Sequence, residues 1–273
     1  MMTKVKVTVK TRLTAFILAC LMLVTVCFAA CGTTPADINS EEDLKNVKIG
    51  VIDGSKSEAL AQKYVENGCE TVKFDSRNGI VEAFEAGEID CTILDENLAK
   101  LLVKENDTLE IRGEALGEDT LTFSMPKSKK VYTIMLNKAL AALKKDGTFD
   151  EIVNGYLSDP EYVYDFAEEL DNSNGSFTIS LDTGVYPYVF PADESHEIPR
   201  GIALALIDAI CKYLGCDYTL LPVTSSSLAS TLMMGLADFS VGSYDIPTKE
   251  AAGVEIVETD PILTYNHVIV VKK

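Results

Sequence analysis

The sequence predicts an α/β fold made of two lobes, each a mostly parallel sheet flanked by helices. The length of 273 residues leaves room for two domains of about 100–150 residues each. Hydrophobic residues make up 47% of the chain, which is ample for two sizeable cores. Short strand-like runs alternate with helical segments in two separate stretches, 44–128 and 177–273. Such alternation is typical of parallel sheets that are covered on both faces.

The first 30 residues have the layout of an export signal. Leu13–Ala30 is an uncharged, mostly apolar run that follows a basic segment. Phe28–Cys31 resembles a lipobox, in which signal cleavage frees a cysteine that carries diacylglycerol, so Cys31 is predicted to be lipidated. Residues 31–43 predict a flexible tether. The lipid anchor places the body at the outer face of the cytoplasmic membrane. A plain signal peptide and an uncleaved transmembrane anchor remain the alternatives, and all three place the body outside that membrane.

The charge and the cysteine content argue against two classes of function. The net charge of −18 repels phosphate backbones, so no nucleic-acid partner is expected. Four cysteines lie beyond Cys31 with spacings that match no zinc or CxxC pattern: Cys69, Cys91, Cys211 and Cys216. We therefore expect no metal and no cofactor. Cys91 and Cys211 are predicted to be buried small hydrophobes, and a Cys211–Cys216 disulfide is left open.

Residues 44–128 form the first predicted lobe. Its predicted strands are Val47–Val51, Thr71–Phe74 and Asp90–Leu94, and its predicted helices are Ser57–Glu66, Ile80–Ala86 and Asn97–Val103. The buried face of the first helix is predicted to carry Ala59, Leu60 and Tyr64. Thr120–Met125 predicts an extended strand that crosses between the lobes and ends before Pro126. Ligands bind beyond the carboxyl ends of parallel strands, so the segments after Val51 and Leu94 are candidate sites.

Residues 129–273 form the second predicted lobe, which begins with closing helices over 129–170. Its first helix carries apolar residues at helical spacing: Leu136, Ala139, Leu140 and Leu143. Gly147 can end that helix in a left-handed cap, and Thr148 can cap the next one. Asp159–Glu169 is expected to be a further helix, with Tyr162, Phe166 and Leu170 facing inward. Residues 171–176 predict a turn-rich linker.

Residues 177–273 complete the second lobe. The predicted strands are Phe177–Leu181, Cys216–Pro222 and Val268–Val271, and the predicted helices are Gly201–Gly215 and Leu228–Leu236. The helix over Gly201–Gly215 is more apolar than usual, which suggests that another segment covers it.

Two segments of the second lobe resemble one protein family. The helix pair around Gly147 resembles the closing segment of type II periplasmic solute-binding proteins of the amino-acid class, solute-binding family 3. Asp182–Phe190 resembles the opening segment of the same family, with Asp182 and Pro187 matching its motif. The chain thus resembles such a protein with its two halves in circularly permuted order. Residues 44–128 then correspond to the family's second lobe, and 129–273 to its first.

The resemblance implies a set of ligand contacts. Asp95 stands where the family's strand-end Asp binds the ligand's amino group. Ser55 and Lys56 lie in a loop where a hydroxyl and backbone amides hold the ligand's carboxylate. Further contacts are implied for Asp182, Tyr188, Ser243 and Lys249, with the ring of Tyr188 as an apolar wall. Structural alternatives are a helix cap for Ser55 or Asp95 and a solvated surface position for Lys249. Counted from Gly242, Lys249 takes the place of the family's arginine, whereas counted back from Asp260 and Pro261 it is Ala251 that does; a lysine lacks the planar fork of arginine.

The implied function is capture of a small polar solute for the membrane subunits of an ABC importer, by a protein anchored in the lipid bilayer through Cys31. Two alternatives remain: a sensory or interaction module that lost its ligand, and a periplasmic dehydratase-type enzyme. With His196 and His267 as its only histidines, the chain offers no clear nucleophile–base pair, so it is predicted not to be an enzyme. The fold prediction requires the tail after Asn266 to lie beside the span near Thr122. Both a monomer and a strand-exchanged dimer satisfy that requirement.

Overall fold

One mixed sheet organises the protein in its computed structural model, which describes residues 37–159, 162–191, 199–224, 227–242 and 255–273. The strands are β1 (Lys48–Ile52), β2 (Glu70–Phe74), β3 (Cys91–Asp95), β4 (Leu109–Pro126), β5 (Ser176–Leu181), β6 (Phe190–Pro191), β7 (Pro199–Arg200), β8 (Asp217–Pro222), β9 (Phe239–Gly242), β10 (Ile256–Glu258) and β11 (Leu263–Lys272). All but β6 and β7, which pair with each other, belong to this sheet.

The helices lie between the strands as the sequence predicts. They are α1 (Lys56–Ala61), α2 (Arg77–Ala86), α3 (Glu96–Glu105), α4 (Val131–Asp146), α5 (Thr148–Ser158), α6 (Ile202–Leu214) and α7 (Leu228–Met233). Three short 3₁₀ helices cover Glu41–Asp43, Gln62–Asn67 and Lys127–Lys129. In the described part of the chain, none of the helices has both the length and the apolar character that a membrane span requires.

The sheet has two ends of identical topology. Its strand order is β2-β1-β3-β11-β4-β9-β5-β8, with β10 beside β4. At one end β1 pairs in parallel with β2 and β3, and at the other end β5 pairs in parallel with β8 and β9. In each end the strand that comes first in the chain lies between the other two. The predicted α/β class, with two mostly parallel halves flanked by helices, is confirmed.

The antiparallel strands β4 and β11 join these two halves. Leu263 lies opposite Leu121 on the side of the sheet that carries β9, β5 and β8, and Lys272 lies opposite Leu109 on the side that carries β3, β1 and β2. The register shifts between His267 and Ile269, so β11 is irregular near the middle of the crossing. The predicted position of the tail, beside the span near Thr122, is confirmed. Beyond the crossing β11 also pairs with β3, so the last strand of the chain lies inside the sheet of the first lobe.

Each lobe has its own core. Ile80, Phe84, Leu98 and Leu102 pack against β11 in the first lobe. In the second lobe α4, α5 and α6 pack on the apolar face of the sheet, around Phe123 and Phe239. Every residue from Ile202 to Cys211 is buried, including Asp208, which explains why so few residues of α6 are polar. Cys69, Cys91, Cys211 and Cys216 are buried free thiols, as predicted for Cys91 and Cys211.

The segment that covers α6 is extended, and the prediction of a helix over Asp159–Glu169 is wrong. In its described part, 162–170, the backbone forms no helix. Tyr162, Tyr164 and Phe166 all pack against the core, and this period of two belongs to an extended chain. The Tyr164 hydroxyl donates to Asp208 of α6 at 3.0 Å, and Lys212 pairs with the same carboxylate at 2.8 Å. These aromatic contacts hold the segment in an extended conformation.

The buried face of the first helix, α1, differs from the prediction. The prediction that Ala59 is buried is wrong, because Ala59 is exposed. Ser57 and Ala61, which are four residues apart in this helix, face the core, and Ala59 lies between them on the opposite side. Ala61 and Tyr64 form the buried face instead.

The two ends of the compact unit Ile38–Lys273 lie on the same stretch of β4. The Arg112 guanidinium donates to the Ile38 carbonyl at 3.4 Å and to Asn39 Oδ1 at 3.2 Å. Ile269 lies opposite the same arginine, and the Lys273 amide donates to the Thr108 carbonyl at 2.9 Å. Chain ends that meet in this way can be joined without disturbing the core.

We therefore predict that a rearranged chain folds to the same structure. Lys273 would be linked to Ile38 by a short Gly/Ser linker, and the chain opened within 171–176. Its free energy of unfolding should stay within about 1–2 kcal/mol of the parent value, because only loop-closure entropy changes. Urea unfolding followed by circular dichroism measures this. A control opened between Thr120 and Leu121 should not fold, since that cut severs the crossing strand; equal stability of both proteins would contradict the prediction.

Candidate functional site

Polar and aromatic side chains from both lobes meet where β4 and β11 cross. Asp95, the last residue of β3, caps α3 by accepting from the Leu98 amide at 2.9 Å. The same oxygen, Oδ1, accepts from the Tyr188 hydroxyl of the other lobe at 3.1 Å. Asn97 Nδ2 donates to that hydroxyl at 3.0 Å. The structure thus gives Asp95 the cap that the sequence left as an alternative, and brings it together with the predicted Tyr188.

Tyr188 is held in place by its ring and by its backbone. Its side chain is buried and stacks on Tyr265 of β11, with the ring centroids 5.6 Å apart and the planes at 28°. Its carbonyl accepts from the Ala203 amide at the start of α6. Gly201 allows this approach, because a Cβ there would lie 2.3 Å from the Tyr188 carbonyl oxygen, and its φ of +124° excludes other residues.

A second group of charged side chains lies on the other side of Tyr265. Lys56 Nζ pairs with Asp119 Oδ1 at 2.5 Å. The other oxygen of Asp119 accepts from the Tyr265 hydroxyl at 3.4 Å and lies 3.7 Å from His267 Nε2. His267 Nδ1 is 3.1 Å from Ser57 Oγ. Asp119 is only 9% exposed and His267 only 6%, so this network is almost fully removed from water.

The surroundings shift the pKa values of Asp95 and Asp119 in opposite directions. Burial raises the pKa of Asp95 to about 6, and the hydrogen bonds from Leu98 and Tyr188 offset only part of that rise. Burial also acts to raise the pKa of Asp119, but its contacts with His267 and Lys56 outweigh burial and hold the pKa below its ordinary value. Burial, followed by the charge of Asp95, raises the pKa of Tyr188 well above its ordinary value. The ionised form of Asp119 is thus stabilised by its partners, whereas burial disfavours the ionised form of Asp95.

The loop after β1 is already satisfied by the protein's own groups. Ser55 caps α1 by accepting from the Glu58 amide at 3.2 Å. The Gly54 amide donates to the Glu58 carboxylate at 2.8 Å. Glu58 in turn pairs with Lys73 at 2.7 Å. Ser55 is therefore a helix cap, which was its structural alternative. The carboxylate of Glu58 accepts the hydrogen bond of the neighbouring Gly54 amide.

The other predicted contacts are not brought into this cluster by the described residues. Asp182 accepts from the Gly184 amide at 2.8 Å and so shapes the turn before Tyr188. Ser243, Lys249 and the predicted lipidation site Cys31 lie outside the described residues.

Sequence reasoning missed five members of the cluster: Ser57, Asn97, Asp119, Tyr265 and His267. The sequence contains a clue to two of these residues, Tyr265 and His267. Tyr265 and His267 alternate along the closing strand, so both point to the same face, and that strand was predicted to lie beside β4. Tyr265 is in register with Asp119. The register itself cannot be read from the sequence.

The Ser57–His267 contact is the closest approach to a nucleophile–base pair in the described part of the chain. Its third member is poorly placed, because 3.7 Å between His267 Nε2 and Asp119 is too long for a hydrogen bond. Asp119 is also engaged by Lys56. The described cluster can recognise charge and bind a ring, and it lacks an aligned catalytic relay.

Asp95→Asn should flatten the pH dependence of stability. A carboxyl whose pKa is raised by folding stabilises the protein below its unfolded pKa and loses that contribution as pH rises through the folded value. Between about pH 4 and pH 7 the loss from Asp95 should be about 1–3 kcal/mol, and asparagine, which also caps helices, should abolish it. Urea unfolding across this pH range measures the effect. Glu96→Gln is the matched control, since the pKa of Glu96 is lowered by Lys100 and Asn266; an unchanged slope in Asp95→Asn would refute the assignment.

Gly201→Ala should destabilise the protein strongly. The added Cβ would overlap the Tyr188 carbonyl, so we expect a loss of about 3 kcal/mol or more, or failure to fold. Gly87→Ala is the control, because Gly87 also has a positive φ but no atom within 4 Å of the new Cβ. That variant should lose about 1 kcal/mol. Equal losses in urea unfolding would show that the close approach to Tyr188 is unimportant.

Comparison with known proteins adds one homologous relationship. No family model matches the chain. A 116-residue segment is 30% identical to the L-cystine-binding protein TcyJ of Escherichia coli K12, and it covers 42% of this chain and 43% of TcyJ. The chain thus matches less than half the length of this curated relative.

Two solved structures show low similarity. The ligand-binding component of an ABC-type import system from Staphylococcus aureus is 10% identical, with a TM-score of 0.40 over 83% of this chain and 65% of that one. The periplasmic VFT2 domain of BvgS from Bordetella pertussis is 15% identical, with a TM-score of 0.40 over 83% of this chain and 80% of that one. The resemblance to solute-binding proteins is confirmed by the homology with TcyJ over the matched segment, whereas the reversed order of the halves stays a prediction.

Proposed function

We propose that this protein is an extracytoplasmic solute-binding protein that captures a small, polar, amino-acid-like solute for an ABC importer. One observation carries the proposal: two lobes of the same topology are joined by two crossing strands, and Asp95 of one lobe meets Tyr188 of the other beside that crossing. A site shared between two lobes can be opened and closed by bending the strands that connect them.

Contacts between the lobes support closure as the relevant motion. The Arg77 guanidinium lies over the ring of Tyr186, 4.2 Å from its centroid. Lys104 Nζ donates to the Ser158 carbonyl at 2.7 Å. Both contacts are peripheral and polar, and such contacts are weak enough to be exchanged when the lobes separate. The shift in register at His267 gives β11 an irregular point at which bending is easiest.

The proposal assigns roles to individual residues. Asp95 takes an ammonium group, and the stacked rings of Tyr188 and Tyr265 form the wall for the rest of the solute. Ser55, Lys56, Asp182, Ser243 and Lys249 are proposed as further polar contacts, as the family resemblance implies. The printed name of TcyJ makes L-cystine one solute to be tested. We also propose that Cys31 is acylated and anchors the protein to the bilayer, and that the protein performs no catalysis.

We further propose that the chain is a circularly permuted member of the solute-binding family. The contact of Ile38 with Arg112 and the pairing of the last strand with the same stretch of β4 support this, since a permuted chain must place its ends near each other. The turn-rich linker over 171–176 would then join what are the end and the beginning of the chain in the usual order.

One observation favours a second candidate, a sensory or interaction module that has lost its ligand. The Tyr188 hydroxyl donates to the carboxylate that would bind an ammonium, and Asp119 neutralises Lys56. A protein that closes on its own side chains needs no solute. The enzyme alternative has no comparable support.

A thermal-shift panel tests these functions. Amino acids, L-cystine and small cationic solutes should include at least one that raises Tm by several degrees at about 100 times its Kd, because binding to the native state stabilises by mass action. Asp95→Asn should lose that response, while Glu96→Gln should keep it. A flat panel, combined with X-ray scattering that shows a closed shape without solute, would support the ligand-free module instead.

A further inference from the structure

The end of helix α6 brings two cysteines together. Gly215 ends the helix in a left-handed conformation, with φ +65° and ψ +45°. The Cys216 amide then donates to the Cys211 carbonyl at 3.1 Å, which closes the last turn. In a helix end of this kind, the residue after the glycine commonly packs its side chain against the residue that supplies this carbonyl. In this protein both of those residues are cysteines.

The two thiols lie side by side in the core of the second lobe. Cys211 is 1% exposed and Cys216 is 3% exposed, and both are free thiols in the structure. Cys216 Sγ lies 3.9 Å from the Cys211 carbonyl oxygen. Burial raises the pKa of the Cys211 thiol, and the charge and hydrogen bond of the neighbouring Cys216 thiol raise it further. The backbone hydrogen bond between these residues holds their Cα atoms near the separation of about 4.4–6.8 Å that a disulfide requires.

The other two described cysteines are placed differently. Ile49 of β1 lies opposite Thr71 of β2 on one side and opposite Cys91 of β3 on the other. Cys69 directly precedes β2, so β1 separates it from Cys91. Neighbouring strands are about 4.8 Å apart, which puts about 9 Å or more between the Cα atoms of this pair. A disulfide cannot span that distance, so Cys69 and Cys91 serve as an internal control.

We propose that Cys211 and Cys216 form a disulfide in the folded protein. The inference rests on the proposed extracytoplasmic location, because disulfides persist in oxidising compartments, and it does not depend on solute binding. One cysteine, as its thiolate, attacks a sulfur of an oxidised disulfide compound and forms a mixed disulfide, which the second thiolate resolves. Two protein thiols are oxidised, and the oxidant is reduced to two thiols that take up the two protons. The step occurs during folding, before burial makes the thiols unreactive.

The bond fastens a turn on which another segment rests. β8 begins directly after Cys216 and pairs with β5. Asn174, in the linker over 171–176, donates from its side chain to the Leu214 carbonyl at 2.8 Å and from its amide to the Gly215 carbonyl at 3.0 Å. A disulfide at this turn restricts the unfolded chain and so stabilises the native state. The linker that the proposed permutation makes a junction is therefore supported by a covalently fixed helix end.

Differential alkylation tests the pairing. The mature protein, purified from the extracytoplasmic fraction, is unfolded in guanidinium with iodoacetamide and without reductant, and its peptides are analysed by mass spectrometry. Cys69 and Cys91 should be alkylated, whereas Cys211 and Cys216 should be unmodified and lack both thiol hydrogens. Alkylation of all four cysteines in this sample and in protein refolded with glutathione and glutathione disulfide would overturn the proposal. A disulfide in the refolded protein but not in the cellular protein would keep the pairing and contradict the extracytoplasmic location.

Matched variants separate the bond from the packing of the side chains. Dithiothreitol should raise the equilibrium constant for unfolding of the parent protein in urea about tenfold or more, because reduction releases the constraint on the unfolded chain. Cys211→Ala and Cys216→Ala should show no such response to the reductant. Cys69→Ala, which also removes a buried thiol, should keep the full response. The same response in Cys211→Ala as in Cys69→Ala would contradict the proposed bond.

Discussion

The pairing of β4 with β11 is the constraint on which the rest of the structure depends. Neither parallel half of the sheet is joined to the other except through these two strands, and one of them is the end of the chain. The pair places β3 and β9, the innermost parallel strands, on either side of the crossing. Loops from both halves can therefore reach one point, and Tyr188, Asp95 and Asp119 meet there because of this arrangement.

Buried charge at the crossing gives this pairing its specificity. Ionised groups are costly to bury unless they are paired, and Asp119 satisfies this rule through Lys56, the Thr120 amide and Tyr265. A slip of β11 by one residue would turn Tyr265 and His267 away from Asp119 and remove their contacts with that carboxylate. The same network also defines the candidate site, because Asp119 neutralises Lys56, the cation that the sequence analysis assigned to the solute. Recognition and register are thus controlled by one set of side chains.

Local patterns predicted most of the fold, and long-range pairing explains what they could not predict. The helices around Gly147 and the strand at the chain end follow from periodicity, and both are present. The helix expected after Asp159 is absent, since alternating aromatic residues pack an extended segment on α6. In the site, Asp95 and Tyr188 were found by motif. Asp119 and His267 were not, because they are 148 residues apart in the chain and become partners only through the register of β11. Glu58 was overlooked because its contact with Gly54 depends on how a single turn closes.

The position of the last strand has a consequence for the order in which the protein can be made. Val271 pairs with both Cys91 and Glu110, so the interior of the first lobe is incomplete until the final residues have been synthesised. Contacts this distant in sequence form slowly, and a lobe that lacks its middle strand has two unsatisfied edges. The sheet of the first lobe therefore cannot be completed before the last strand is available for pairing.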